Sequence, residues 1–337
     1  MENENVQPVQ NEVHYSSFRY GLGAVLAFFG FSSKTHRASK KRAKFVGDIF
    51  TYIVLLFGTF LMVYPFWWML AGSFADTVND GQTILREIIW WPRLSTAASG
   101  YEGGFFRNYN LFFSQAFSVV SGFTFWRALF NNLLYSIVPV VVGVITSASA
   151  AFSFAKINWI GRNAVFYFLL AAIMVPGPSV MTAQFAMYQN LGWRENGLVL
   201  IIPGMFGSIM TAFFIRQFLY GMPTSIIEAA KIDGAGYFRI FCGFILPLAM
   251  PAIMAQGLLS FMGCWNNYMG SFIMIPSSSK AMNLPHALSI IADNAPWSTD
   301  YGVVIAGSVC CVVPVMILFA CFQKMIIGSL MLTGSKE

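Results

Sequence analysis

The sequence predicts an all-α membrane protein with six transmembrane helices, and three observations carry that prediction. Of its 337 residues, 57% are hydrophobic and only 10% charged, where a soluble domain carries about 25% charge. Six apolar runs, 49–74, 128–154, 164–188, 197–218, 248–275 and 301–330, are each long enough to cross about 30 Å of hydrocarbon. The cores of these runs hold no Asp, Glu, Lys, Arg or His, the residues that are costly inside a bilayer.

Taken in order, the chain opens with a tail over 1–44 whose apolar stretch 20–31 is too short to span and rich in glycine; it reads as an interfacial helix or a tail segment. It is no cleavable signal, because the basic cluster follows it and no small-residue cleavage site does. That cluster, Lys34, Arg37, Lys40, Lys41, Arg42 and Lys44, is placed to hold anionic lipid headgroups, and no nucleic-acid partner is inferred from it. Between the first two spans lies a long loop with Trp90-Trp91-Pro92 and Tyr101-Glu102-Gly103-Gly104, an irregular surface that suits either an external partner or an aromatic anchor in the lipid interface.

The second span carries Asn132, Ser136, Pro139, Gly143 and Ser147 at steps of three or four, hence on one helix face. Pro176-Gly177-Pro178 interrupts the third span, and the missing backbone donors there kink or break the helix, as a hinge or as a static packing feature. In the fifth span Gln256, Ser260, Gly263, Asn267 and Ser271 repeat the stripe, with Trp265 and Asn266 beside it. Together with Gln184 these residues form a candidate pathway for a neutral, hydroxyl-rich solute: amides offer donors and acceptors, and aromatic faces stack on sugar rings. The same small and amide residues serve close helix packing equally well.

Lysine and arginine set the orientation. With the N-terminus inside, fourteen of them fall on the cytoplasmic side and six outside, so both termini are expected in the cytoplasm. The organisation follows: a basic cytoplasmic tail over 1–44, a six-span domain over 45–330 and a short cytoplasmic tail over 331–337. No phosphate-binding glycine loop, Cys/His metal cluster or hydrolytic triad occurs, so neither a catalytic residue nor a metal site is expected. Five cysteines, lying within or beside the spans, read as small packing residues. The uncharged span cores weigh against an ion-coupled carrier.

One charged stretch interrupts this pattern, Ser-Ile-Ile-Glu-Ala-Ala-Lys-Ile-Asp-Gly-Ala-Gly over 225–236. Ser225 and Glu228 have capping-box spacing, Ala229-Ala230-Lys231 favour helix, and Gly234 and Gly236 permit a left-handed exit. A helix, a turn and a second helical piece over 237–245, ending at Leu246-Pro247 and Pro251, are expected beneath the membrane.

Glu228-Ala229-Ala230, Ile232-Asp233-Gly234-Ala235, Ile245-Leu246-Pro247 and Pro251 closely resemble the signature loop of permease subunits of ATP-binding-cassette (ABC) importers. "FFIRQF" over 213–218 with Pro223, "LGW" over 191–193 and Trp265-Asn266 are similar to the carbohydrate-uptake branch, the maltose-type and multiple-sugar permeases. The resemblance implies a type I importer permease fold in a bacterial-type plasma membrane. It also implies a second permease subunit, two cytoplasmic ATPase subunits that bind ATP and Mg, an extracytoplasmic solute-binding protein, and no cofactor in this chain.

By that resemblance the 219–247 loop is the coupling helix. Glu228 would meet a basic residue of the ATPase, Ala229 and Ala230 would seat the helix, Asp233 belongs to the docking motif, and Gly234 would make the turn. Ser225 stands where the family often has an acidic residue, and the C-terminal "GSLMLTGSKE" only partly follows the family's glycine-rich ending. The solute implied is a sugar or oligosaccharide; an importer of another solute class and an ion-coupled carrier are the alternatives.

Overall fold

The computed structural model describes residues 36–75, 105–119, 122–294 and 300–334, all helix, turn or loop with no strand among them. The 20–31 stretch, the Trp90-Trp91-Pro92 and Tyr101–Gly104 motifs and the last three residues lie outside the described residues. By contacts the chain divides into two units, 1–65 and 66–337, at Pro65 inside the first helix. That helix, α1 (His36–Gly72), starts well before the apolar run, because the basic stretch preceding it is itself made of helix formers.

In the second unit α2 (Arg107–Ser114) and a 3₁₀ turn (Ala116–Val119) precede α3 (Phe125–Lys156), the longest helix of that unit whose side chains are described throughout. Thr124 caps it by accepting from the Arg127 amide. Next come α4 (Arg162–Ile173) and α5 (Gly177–Asn190), bent by 93°. The expected break at Pro176-Gly177-Pro178 is therefore a right angle, with Pro176 extended at the N-cap and Pro178 in the first turn of α5.

α6 (Leu198–Met205) and α7 (Ile209–Tyr220) follow, and then the loop helices α8 (Ser225–Ile232) and α9 (Tyr237–Ile240). A π-turn (Phe241–Ile245) leads into α10 (Leu246–Leu248), so the second piece of the loop runs three residues past its expected end. Pro247 has no amide to donate one turn back, which favours the wider turn before it.

The fifth span is not one helix. α11 (Met250–Trp265) stops at Asn266 and α12 (Tyr268–Met274) restarts after Asn267. α13 (Leu284–Asp293) and α14 (Tyr301–Gly334) complete the chain. Four segments are long and apolar enough to cross a membrane (Gly47–Gly72, Phe125–Lys156, Leu198–Tyr220 and Tyr301–Gln323), and two bent pairs raise the number to six if each is one span. The second pair, Tyr237–Leu248 with Met250–Trp265, bends by 77°.

α3 is the axle of this unit, packing most extensively on α7, α6 and α11. Around its N-terminal half lies one core, rich in aromatics: Phe112, Phe117, Phe125, Tyr135, Met282 and Leu284. Around its C-terminal half lies a second, built by Ala148, Ala151, Phe152, Ile215, Ile227, Ala230 and Phe241. This second core fastens the 225–245 loop to the membrane helices.

Candidate functional site

The α3–α6–α7 crossing is built from glycine. A Cβ on Gly204 would come within 2.6 Å of the Pro139 Cβ, and one on Gly143 would collide with the Gly204 carbonyl. Gly207 has φ +85° and lies against Ser147 and Thr146, so both its conformation and its surroundings demand glycine. Thr146 Oγ1 donates to the Met205 carbonyl at 3.0 Å, and the Ser208 amide donates to Ser147 Oγ at 2.9 Å. These bonds satisfy backbone groups freed where α6 breaks into α7.

A cleft of about 250 Å³ opens at this crossing. Its walls combine Pro139, Gly143 and Ser147 of α3 with Ser260 and Gly263 of α11, closed by Gly207 and Thr211. The two polar stripes thus meet in space along their middle portions, which is the arrangement a shared pathway needs.

Their ends do something different. Asn132 is fully buried; its Nδ2 points to the Trp265 carbonyl at 3.5 Å, and its Oδ1 has no partner among the described residues. Trp265 is buried too, its Nε1 donating to the Cys311 carbonyl at 2.9 Å and its ring stacked on Phe261. Asn267 caps α12 by accepting from the Gly270 amide at 3.0 Å. Because the helix breaks here, Asn267 and Ser271 leave the register of Gln256, Ser260 and Gly263, and the single five-residue stripe expected for this span is corrected to two pieces. Asn266 and Gln184 are exposed, and Gln256 is half-buried.

Reading residue types missed a cluster at the N-terminal end of α3. Arg127 Nε donates to the Lys280 carbonyl at 3.2 Å, Asn131 Nδ2 to the Lys280 and Met282 carbonyls at 2.9 Å each, and Tyr135 Oη to the Ala281 carbonyl at 2.8 Å. Their spacing of four residues was the available signal. Arg216 is a second surprise. It is buried one turn from the end of α7, its guanidinium 3.8 Å from the Phe166 ring centre and 4.5 Å from that of Tyr220, and its Nε donates to the Phe154 carbonyl at 3.4 Å. Two aromatic faces and a carbonyl take the place of a carboxylate.

The 225–236 loop forms the expected helix and turn, with three corrections. The N-cap of α8 is Thr224 in helical conformation with no side-chain bond, so the Ser225–Glu228 capping box is absent; Ser225 already sits inside the helix. Ala230 is 5% exposed and faces the second core beside Ile227, while Ala229 faces outward, so the two alanines do not share one seat. Gly236 has φ −70°, leaving Gly234, at φ +77°, as the only left-handed residue of the turn.

The exit at Gly234 is a Schellman turn. The Ala235 amide donates to Ala230 at 2.9 Å and the Gly234 amide to Lys231 at 3.0 Å. Glu228, Ala229, Asp233 and Gly234 are all exposed, and no bond to the Glu228 carboxylate occurs among the described residues. Beside them stand Ile232 and Phe238, 86% and 80% exposed, and Lys231, whose Nζ donates to Tyr237 Oη at 3.0 Å. The surface combines exposed apolar groups with an acidic pair on a fixed turn.

Comparison with known proteins places this arrangement. The family model for "Binding-protein-dependent transport system inner membrane component" matches residues 143–330, more than half of the chain. The arabinooligosaccharides transport system permease protein AraQ of Halalkalibacterium halodurans is 31% identical over 212 residues, 63% of this chain and 75% of that protein. The diacetylchitobiose uptake system permease protein NgcG of Streptomyces coelicolor is 27% identical, covering 83% of this chain and 86% of its own. In fold the chain is similar to a protein from the crystal structure of a bacterial ABC transporter that imports the acidic polysaccharide alginate, with a TM-score of 0.69 and 20% identity over 84% of this chain and 97% of the other. The matched span takes in the cleft residues from Gly143 onward together with α8 and its turn, and because it covers more than half of the chain, the chain belongs to the binding-protein-dependent transport system inner membrane components.

Proposed function

We propose that this permease subunit imports a sugar or oligosaccharide handed to it by an extracytoplasmic binding protein, driven by an ATPase that docks on the 219–247 loop. The chain is a non-catalytic inner-membrane subunit, with ATP hydrolysis in a separate subunit. The observation that carries the docking reading is the fixed, exposed turn at Asp233-Gly234, tied through Ala230 and Ile227 into the core of the membrane helices. An element that must receive force needs an outward face for the partner and an inward face packed on what it moves, and α8 has both.

In this reading the bent pair α4–α5 is one span and the fifth span runs over 248–275, beyond the loop, so six spans cross the membrane between a basic tail over 1–44 and a short tail after 330, and both termini are cytoplasmic. A second permease subunit completes the pore, and two ATPase subunits bind ATP and Mg below it. Glu228 meets a basic residue of the ATPase; free of capping, its carboxylate is available for that contact. Ala229 lines the docking face, and Ala230 works from behind as the packing contact to α3. The solute passes along the cleft between the α3 and α11 stripes, with Gln184, Gln256 and Asn266 as polar contacts and Asn132, Trp265 and Asn267 shaping the break beside it. A cleft whose polar walls are the hydroxyls of Ser147, Ser208, Thr211 and Ser260, with no charged side chain, suits a neutral solute, and the arabinooligosaccharide and diacetylchitobiose relatives favour a carbohydrate.

The test is uptake of labelled oligosaccharides by the complex reconstituted with its mate permease and ATPase. Glu228→Lys is expected to abolish uptake and solute-stimulated ATP hydrolysis while the complex still assembles. Uptake that survives ATP depletion and collapses with the ion gradient would instead establish a carrier.

A further inference from the structure

Three consecutive main-chain carbonyls, of Lys280, Ala281 and Met282, receive donors from three α3 side chains spaced four residues apart on one face, Arg127, Asn131 and Tyr135. The segment they hold is itself buried: Ala281 is 7% exposed, Asn283 1%, and Met282 and Leu284 0%. Asn283 then works in two directions. Its Oδ1 accepts from the His286 amide at 3.1 Å and starts α13, and its Nδ2 donates to the Asn267 carbonyl at 3.0 Å, inside the break between α11 and α12. Tyr135 also fills the space where a Cβ on Gly197 would stand, so the start of α6 joins the same assembly.

At the other end of α3, Lys156 Nζ donates to the Met222 carbonyl at 2.7 Å, just before α8, and Phe152 meets Phe241 at 5.6 Å. Pro139 costs α3 one internal bond at mid-length, but Gly204 packs against that turn. A helix of 32 residues spans about 48 Å.

We propose that residues 280–284 are a latch, and that Arg127, Asn131 and Tyr135 are positioning residues for transport that make α13 and the α11–α12 break move with α3 when the coupling loop moves. The inference rests on the importer reading for its driving force. Main-chain carbonyls accept from donors of any side chain that arrives, so a loop held through its carbonyls keeps its register through the geometry of the donor row. Removing Asn131 or Tyr135 leaves a carbonyl, of Met282 or Ala281, unpaired and lets the segment open locally, at a scale of about fivefold in the open population per hydrogen bond.

The experiment is hydrogen exchange on the assembled complex, with its mate permease and ATPase, in lipid nanodiscs. Exchange is followed at residues 280–291 without nucleotide and after trapping with ATP and vanadate. In the parent complex trapping is expected to change exchange at 280–291, although nucleotide binds on the far side of the membrane. Tyr135→Phe and Asn131→Leu are each expected to more than halve that nucleotide-induced difference, with assembly and basal ATP hydrolysis retained. A merely structural role would lower protection equally with and without nucleotide and leave the difference intact; that result in both variants overturns the proposal, as does a parent complex whose 280–291 exchange ignores trapping. Failure of the importer reading shows separately, as trapped nucleotide with no uptake of any oligosaccharide.

Discussion

Gly207→Ala is the sharpest test of the glycine-built crossing, because a matched control exists in the same chain. Gly207 and Gly161 have nearly the same backbone angle, φ +85° and +84°. An alanine in the left-handed region costs about 1–2 kcal/mol at either position. Around Gly161 nothing lies within 4 Å of the added Cβ, so that cost stands alone. Around Gly207 the Cβ would sit 2.5 Å from Ser147 Oγ and 2.8 Å from both the Gly143 carbonyl and Thr146 Oγ1.

Relief at Gly207 requires α7 to back away from α3, since one of the obstacles is main chain. That movement stretches the Ser208 amide bond to Ser147 and the Thr146 bond to Met205, each worth about 1 kcal/mol. The difference between the two variants should therefore be about 2–3 kcal/mol on top of the shared backbone term. Thermal unfolding of the purified complex in detergent measures it, with uptake as the second readout. Gly207→Ala should lose both stability and uptake, and Gly161→Ala should lose only the shared backbone cost of about 1–2 kcal/mol and no uptake. Equal shifts for the two variants would refute the claim that close approach, rather than φ, fixes Gly207.

Three further outcomes follow from the same geometry. Gly234→Pro should abolish solute-stimulated ATP hydrolysis, because proline can neither reach φ +77° nor donate to Lys231, whereas Gly234→Ala, with open space around its Cβ, should cost only about 1–2 kcal/mol of local stability; equal activity in the two would remove the turn from the coupling mechanism. Burial lowers the His286 pKa to about 4, so between an unfolded value of about 6.5 and that value the unfolded state binds the proton and the folded state does not. Stability should fall by about 3 kcal/mol as pH drops through that window, and His286→Gln should flatten the slope in a pH series of unfolding temperatures. Alanine at Asn132 or Asn267 should lower stability as well as uptake, since these amides serve the α11–α12 break, while alanine at the exposed Asn266 should lower uptake alone; a purely transport-specific loss at Asn132 would place it on the solute path instead.

The hydrophobic runs made the helices legible because a bilayer solvent leaves few other solutions, and Gly234 announced its turn because few residues tolerate that backbone region. What stayed hidden were features that depend on a neighbour. The fifth span reads as one apolar run, yet it breaks at Asn266-Asn267, where Asn283, and at longer range Asn132, supply donors to carbonyls at the break. Those donors come from other segments, and the one local signal, Asn267 at the N-cap of α12, reads in sequence as a member of the polar stripe. The capping-box spacing at Ser225 and Glu228 was a true local pattern overruled because the helix begins one residue earlier, at a Thr224 whose carbonyl already accepts from the Ile227 and Glu228 amides. Arg216 looked like a marker of the cytoplasmic boundary, and only the surrounding Phe166, Tyr220 and Phe154 carbonyl make its burial intelligible.

Under the proposed docking role, the two alanines of the loop would divide docking from transmission within one turn of helix. Positions 229 and 230 are adjacent, so on a helix they point about 100° apart, one to the exposed face and one to the core. In the docking proposal Ala229 would keep the outer face low enough for a partner to approach, while Ala230 packs into the second core and its carbonyl accepts the Ala235 amide that locks the turn. Enlarging the first would obstruct only the partner. Enlarging the second would push α8 off the core and unseat Gly234 with it, so the cost would appear in the isolated subunit before any ATPase is present. Ala229→Leu and Ala230→Leu are thus expected to fail differently, the first in complex assembly and the second in the stability of the permease itself; loss of stability in Ala229→Leu, with Ala230→Leu intact, would reverse the two faces and with them the route by which force reaches α3.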